Sequence, residues 1–405
     1  MPLITDPIKV DEVLTRGVEN IYPSAEALRK DLLSGRRLRL YCGFDPSAPS
    51  LHIGNAILIN KLAQFQALGH EVIFLIGDFT GMIGDPTDKL SARKQLSREE
   101  VLANSRNYQK QASAYLKFNG DNAAKVLYNS AWNDKLTFKD LIELSAHFTV
   151  QQMIQRDMFQ RRLSEEKPIF LHEFLYPLAQ GYDSVAMNVD LEIGGNDQMF
   201  NMMCGRDLQK SINQKEKYVM TLKLLADDKG KKMGKSEGNA VFLDTPPRDM
   251  YGIIMSWPDG VIGVAFELCT RVPFSEVEEI KKQLADNQTN PRDLKMRLAF
   301  EITQIIHGPE AAREAEDYFV RVFQRKERPQ EAETKTIHGS AINIVELLVD
   351  TGLASSKSEA RRLIKEGGIK LEGQKVNSDQ QIVKLTSQPQ LLQRGKRRFI
   401  RVKKA

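Results

Sequence analysis

Two short, unbroken apolar runs with one helical stretch between them constrain this chain most. Arg39 to Phe44 and Val72 to Gly77 read as buried strands. Between them Ile53 to Leu68 reads as a helix, closed by Gly69. Strand, helix, strand in that order predicts a βαβ unit, hence a parallel sheet covered by helices. The alternation continues over the first 225 residues. Further strands are expected near Lys125–Tyr128, Val189–Ile193 and Tyr218–Leu222. Helices are expected over Arg98–Phe118, Leu136–His147, Gln151–Glu165, Leu171–Met187 and Gln198–Ile212. In such sheets ligands sit outside the carboxyl ends of the strands.

A chain of 405 residues is too long for one small core. The expected division is a sheet domain at 1–226, a Gly- and Lys-rich loop at 227–245 and a helical domain at 246–326. Leu294, Leu298, Ile302 and Ile305 mark the helical part by their spacing. Residues 327–341 lack periodicity and read as a linker, and 342–405 as a small final unit. In that unit Ser356 and Glu359 match a capping box, and Gly367-Gly368 ends the helix it opens. Arg361, Arg362 and Lys365 share its outer side.

Charge follows the same division. The net charge is +5, yet residues 341–405 hold 14 Lys/Arg against 6 Asp/Glu. A concentrated basic surplus suits a polyanion such as nucleic acid, although a solvated tail has the same composition. Three cysteines, Cys42, Cys204 and Cys269, are odd in number and far apart. That argues against a disulfide framework and a structural zinc site, and no metal ligands are expected. No apolar run approaches membrane-spanning length, so a cytoplasmic setting without a membrane partner is the expectation.

Two elements carry chemistry. Leu51-His52-Ile53-Gly54-Asn55 follows the first strand and opens a helix, where exposed N–H groups favour an anion. Gly54 permits close approach of a flat ring or a phosphate. His52 and Asn55 fall on one side of the first turn. The second is Lys231-Lys232-Met233-Gly234-Lys235-Ser236, three lysines suited to neutralising a leaving pyrophosphate. Alone, each is weak: a histidine at a helix start is usually structural, and a lysine loop is usually solvated. Tyr176, Gln180 and Asp183 add a polar stripe on one helix, by spacing alone equally a solvent face.

Together and in this order, the two elements resemble the HIGH and KMSKS signatures of the class I aminoacyl-tRNA synthetases. They stand here as HIGN and KMGKS. Tyr41-Cys42-Gly43-Phe44-Asp45-Pro46 resembles the first-strand motif of the tyrosyl branch of bacterial type. The resemblance implies a Rossmann-like parallel-sheet catalytic domain, a helical anticodon-binding domain and a small α+β RNA-binding domain like one found in a ribosomal small-subunit protein. It implies that Tyr41 and Asp183 grip a phenolic hydroxyl. Tyr176, Gln180 and Asp85 would hold the substrate ammonium, and Gln198 its carboxylate. ATP would contact Cys42, Gly43, Asp45, Gly54, Gly194 and Asp197, with Lys89 and Arg93 near its phosphates. His52, Asn55, Lys232 and Lys235 would be catalytic; Arg361, Arg362 and Lys365 would touch RNA. Glu192 stands where many members have Gln, and its role stays open.

The implied reaction joins L-tyrosine to tRNA(Tyr) through an adenylate, with ATP as a substrate accompanied by Mg2+, no tightly bound cofactor, and a homodimer as the working form. A tryptophan-specific sister has no use for a paired Tyr and Asp at the pocket floor. A small nucleotidylyltransferase needs no KMGKS loop followed by two further domains. A non-catalytic RNA-binding paralogue would not need Lys232, Lys235, Asp85 and Asp183 intact.

Overall fold

The structure is a computed structural model that describes residues 2–87, 95–226, 240–286, 289–324, 334–395 and 398–405. It packs as two compact units, Met1–Ala312 and Arg313–Ala405.

The first unit is built on six strands: β1 (Val18–Tyr22), β2 (Arg39–Phe44), β3 (Glu71–Ile76), β4 (Lys125–Tyr128), β5 (Leu191–Gly195) and β6 (Tyr218–Leu222). Their order across the sheet is β1-β6-β5-β2-β3-β4. From β6 to β4 every pair is parallel. The apolar runs are buried, with Leu40, Tyr41, Phe74 and Ile193 all in the core. β2 lies between β3 and β5, so the strand order reverses beside it, where α/β sheets leave a crevice for ligands.

Two expectations need correcting. The sheet is mixed, because β1 joins the edge antiparallel to β6. Its Val-Glu-Asn-Ile-Tyr pattern is only half-buried and gives no clean period. Two helices expected as continuous are broken. Arg98–Phe118 divides into Arg98–Ser105 and Tyr108–Ala112, and Gln151–Glu165 into Val150–Ile154 and Asp157–Ser164. At the second break Arg156 is extended, which turns its guanidinium inward over the Phe200 ring at 4.6 Å. The helix Leu171–Met187 falls as expected, with Pro177 inside it.

The helical region follows as Pro247–Met255, Ile262–Cys269, Phe274–Ala285 and Pro291–His307. It lies in the first compact unit together with the sheet. Buried Arg16 joins the two: its guanidinium donates to the carbonyls of Phe266, Glu267, Thr270 and Val272. It thereby satisfies acceptors that the end of Ile262–Cys269 leaves over. Among the described residues no single helix is long and apolar enough to cross a membrane.

The second unit is α+β. It contains β7 (Thr334–Ile337), β8 (Ala341–Asn343), β9 (Ile369–Leu371), β10 (Gln374–Lys375), β11 (Ile382–Lys384), β12 (Gln390–Arg394) and β13 (Arg398–Lys404). One sheet runs β10-β9-β12-β13-β7, and β11 pairs with β8. Helices Ile344–Asp350 and Lys357–Lys365 supply Leu347, Leu348, Ala360 and Ile364 to its core. Part of the expected 327–341 linker is therefore structured, since β7 pairs in parallel with β13. The capping box at Ser356 is half formed. Ser356 accepts from the Glu359 N–H at 3.2 Å, but the Glu359 carboxylate turns to the Ser355 N–H at 2.7 Å.

Candidate active site

The carboxyl end of β2 leads into the helix Ile53–Ala67, capped from within its own motif. The Asn55 amide oxygen accepts the His52 N–H at 3.0 Å, which leaves the amide NH2 as the half not spent on capping. Gly54 leaves the His52 ring its place, because a Cβ there would lie 3.0 Å from the ring and press it aside. Leu51 to Ile53 also forms a short antiparallel bridge with Val241 to Leu243. The Ile53 N–H donates to Val241 O and the Leu243 N–H to Leu51 O, both at 2.8 Å. The chain leaving the lysine loop is thus pinned beside His52. Lys232 and Lys235 themselves, with Lys89 and Arg93, lie outside the described residues.

Tyr41 on β2 and Asp183 on Leu171–Met187 are both almost fully buried, at 1% and 2% exposure. They do not bond each other. The Tyr41 hydroxyl is 3.0 Å from Ser184 Oγ. Asp183 Oδ1 accepts from Trp132 Nε1 at 2.7 Å and Asn133 Nδ2 at 3.1 Å, and Oδ2 from Asn129 Nδ2 at 3.2 Å. An ionised carboxylate has about four acceptor positions, so these three donors leave about one. Burial lifts Asp183 well above the usual carboxylate range, against the pull of those three donors; Glu192 adds to the lift. Burial likewise raises Tyr41, with Glu192 and Asp183 contributing.

Around this floor the remaining expected residues form two strings. Tyr176 donates its hydroxyl to Asp45 Oδ2 at 2.8 Å, and Thr80 donates to Asp45 Oδ1 at 2.7 Å. Asp45, expected against ATP, thus meets Tyr176, expected against the ammonium. Gln198 donates to Asp85 Oδ2 at 2.7 Å and accepts from Asn201 at 3.0 Å. Thr87 holds Asp85 Oδ1 through its N–H at 3.0 Å and its hydroxyl at 2.6 Å. Gln180 donates to Glu192 Oε1 at 3.0 Å, while its own amide oxygen is buried with no partner among the described residues. Such an acceptor is costly unless a ligand uses it.

Gly43 and Asp197 are exposed, Gly194 is buried at the end of β5, and Cys42 is buried with its thiol pushed up by burial. In the second unit Arg361, Arg362 and Lys365 are exposed on one helix. Trp132, Asn129, Asn133, Ser184, Asn201 and Lys217 were not foreseen. Only Asn129 carried a signal, a polar residue directly after a strand's carboxyl end.

Known proteins agree in type. Residues 33–324 match the family described as tRNA synthetases class I (W and Y). Residues 325–402 match the tyrosine–tRNA ligase SYY-like C-terminal domain. A tyrosine–tRNA ligase of Moorella thermoacetica is 45% identical over 394 residues, 96% of this chain and 94% of the relative. One from Thermotoga maritima is 43% identical over 395 residues, 96% of each chain. Among solved structures, a C-terminally truncated mitochondrial tyrosyl-tRNA synthetase of Coccidioides posadasii superposes with a TM-score of 0.62 at 26% identity. It covers 76% of this chain and 91% of its own. One from Archaeoglobus fulgidus complexed with L-tyrosine shares the fold, with a TM-score of 0.60 at 21% identity over 77% of this chain and 100% of its own.

Proposed function

The chain belongs to the class I tRNA synthetases, among the tyrosine–tRNA ligases, and from that premise we propose how its residues divide the work. The enzyme activates L-tyrosine with ATP and transfers it to tRNA(Tyr). The observation that carries the residue assignment is the buried Asp183 carboxylate beside Tyr41, with about one acceptor position left over.

A tyrosine phenol would donate its proton there. Its ammonium would be met by the Gln180 amide oxygen, the Tyr176 hydroxyl oxygen and Asp85. A carboxylate among them offsets the cost of desolvating a cation. The second N–H of Gln198 would hold the substrate carboxylate. That carboxylate attacks the ATP α-phosphate in line, and pyrophosphate leaves. No general base is required, because the nucleophile is already ionised. Catalysis is then positioning plus charge stabilisation by His52, Asn55, Lys232 and Lys235. ATP would enter as its Mg2+ complex, with Gly43, Gly54, Gly194 and Asp197 lining the nucleotide and Lys89 and Arg93 near its phosphates. A hydroxyl of the terminal adenosine completes transfer. The helical region and the exposed Arg361, Arg362 and Lys365 would hold the tRNA, mainly through phosphates and RNA shape.

We also propose a homodimer. Phe138, Ile142, Val150, Leu163, Phe170 and Leu171 are all exposed, Leu171 at 82%. Large apolar side chains gathered in one stretch mark an interaction surface, and a second copy is the partner that suits it. Three buried, unpaired cysteines suit a reducing cytoplasm.

ATP–pyrophosphate exchange measured with each of the twenty amino acids tests the pocket. Exchange should be driven by tyrosine and by phenylalanine far less. Equal exchange with both would remove the assignment of Tyr41 and Asp183.

A further inference from the structure

Lys217 stands directly before β6, where a lysine would ordinarily reach solvent. Instead it is wholly buried, at 0% exposure. All three protons of its ammonium are used. They go to Ser184 Oγ at 2.8 Å, to Met202 O at 3.1 Å and to Glu192 Oε2. Glu192, on β5, is buried at 2% and its carboxylate is divided. Oε1 takes the Gln180 amide at 3.0 Å, and Oε2 takes Lys217 and the Ser184 hydroxyl, the latter at 3.3 Å.

The hydrogen bonds of this buried string run in one direction. Lys217 can only donate, so Ser184 accepts from it. The Ser184 proton goes to the anionic Glu192 oxygen, the stronger acceptor. Tyr41 therefore donates to Ser184 across 3.0 Å, which leaves its oxygen lone pairs to accept. Asp183 offers an acceptor beside it. A ligand filling this floor must bring a proton to donate: a phenol does, a phenyl ring does not.

Space for the ion pair is built in. A Cβ on Gly205 would lie 2.7 Å from Lys217 Nζ and 2.8 Å from Ser184 Oγ. Glycine at that point of Met199–Asn213 leaves the space the ammonium occupies against Ser184.

We propose that the Glu192–Lys217 ion pair is a positioning device for tyrosine recognition, fixing the Tyr41 hydroxyl through Ser184 and the Gln180 amide directly. In this role the pair acts at one remove, through Ser184 and Gln180, rather than on the reacting atoms. It links the two ends of the amino-acid pocket, hydroxyl and ammonium, through one buried carboxylate. This rests on the tyrosine reading of the pocket.

The test uses the full-length enzyme. Glu192→Gln keeps the shape and removes the anion that orients the chain. The KM for tyrosine should rise about tenfold or more, with the KM for ATP unchanged and the preference for tyrosine over phenylalanine reduced. Lys217→Met alone strands a buried carboxylate and risks misfolding, so it is paired with Glu192→Gln. That double variant should fold and keep the tyrosine defect. A folded Glu192→Gln enzyme with wild-type tyrosine KM and wild-type discrimination overturns the proposal. So does a double variant that is thermally weakened yet normal in both. Failure of the tyrosine reading itself shows separately, as a wild-type enzyme without tyrosine-dependent exchange.

Discussion

At the scale of single residues, Asp183 is the most deeply buried carboxylate among those expected to touch substrate, at 2% exposure against 9% for Asp85. Its three donors, Trp132, Asn129 and Asn133, arrive from the segment after β4. Asp183→Ala should abolish tyrosine-dependent pyrophosphate exchange while ATP binding, followed by equilibrium dialysis, stays within about twofold. Undiminished exchange would contradict its assigned role. His70 shows burial acting on stability instead. Its Nδ1 accepts the Leu38 N–H at 3.2 Å, so the ring sits neutral, and burial, with Arg37, pushes its pKa down to about 4. Unfolded histidine titrates near 6.5, so between these values the unfolded chain binds the proton and the native state does not. Stability from this group is complete above about pH 6.5 and falls as pH drops toward 4, by on the order of 3 kcal/mol. His70→Asn keeps an acceptor and should flatten that part of a urea-unfolding pH profile. An unchanged slope would place the acid sensitivity elsewhere.

At the scale of elements, the pocket depends on two helices approaching unusually closely. A Cβ on Gly181 of Leu171–Met187 would lie 3.2 Å from the Gly205 N of Met199–Asn213. The first helix brings Tyr176, Gln180, Asp183 and Ser184 to the floor; the second brings Asn201 and Met202. Gly205→Ala should therefore do two things together. It should destabilise the fold by about 1–3 kcal/mol, as overpacking does, and raise the KM for tyrosine more than that for ATP. Lowered thermal stability with unaltered tyrosine KM would show that the helix contact matters for folding alone. The HIGN and lysine elements are joined through backbone, by the bridge of Leu51–Ile53 to Val241–Leu243.

For the whole molecule, charge and apolar surface have different addresses. The basic surplus lies in the second compact unit, whose sheet begins with β7. A chain ending after residue 324 keeps the first unit intact and leaves β7 with the part removed. It should still form tyrosyl-adenylate, measured by exchange, while tRNA charging falls sharply; full charging would deny that unit a role in holding tRNA. The exposed apolar residues from Phe138 to Leu171 belong to the first unit. Sedimentation should give a dimer, and Leu171→Lys combined with Phe138→Asp should shift it toward monomer. A monomeric wild type would end the dimer proposal.

Local pattern alone determined a great deal: the βαβ order, the limits of Arg39–Phe44, Lys125–Tyr128 and Tyr218–Leu222, and the unbroken Leu171–Met187 helix, while the HIGN and KMGKS elements pointed to a family only as a pair. Those properties live in short windows, in the period of apolar residues and in motifs a few residues long. Tertiary structure decided the rest. Nothing near Lys217 announces that its ammonium is buried against Glu192, because the two are 25 positions apart and meet only when β5 and β6 pair. The same holds for Trp132 and Asn133 reaching Asp183, and for the antiparallel edge strand. Burial and long-range hydrogen bonds are properties of the packed chain, so a polar residue reads the same in sequence whether it faces water or a ligand.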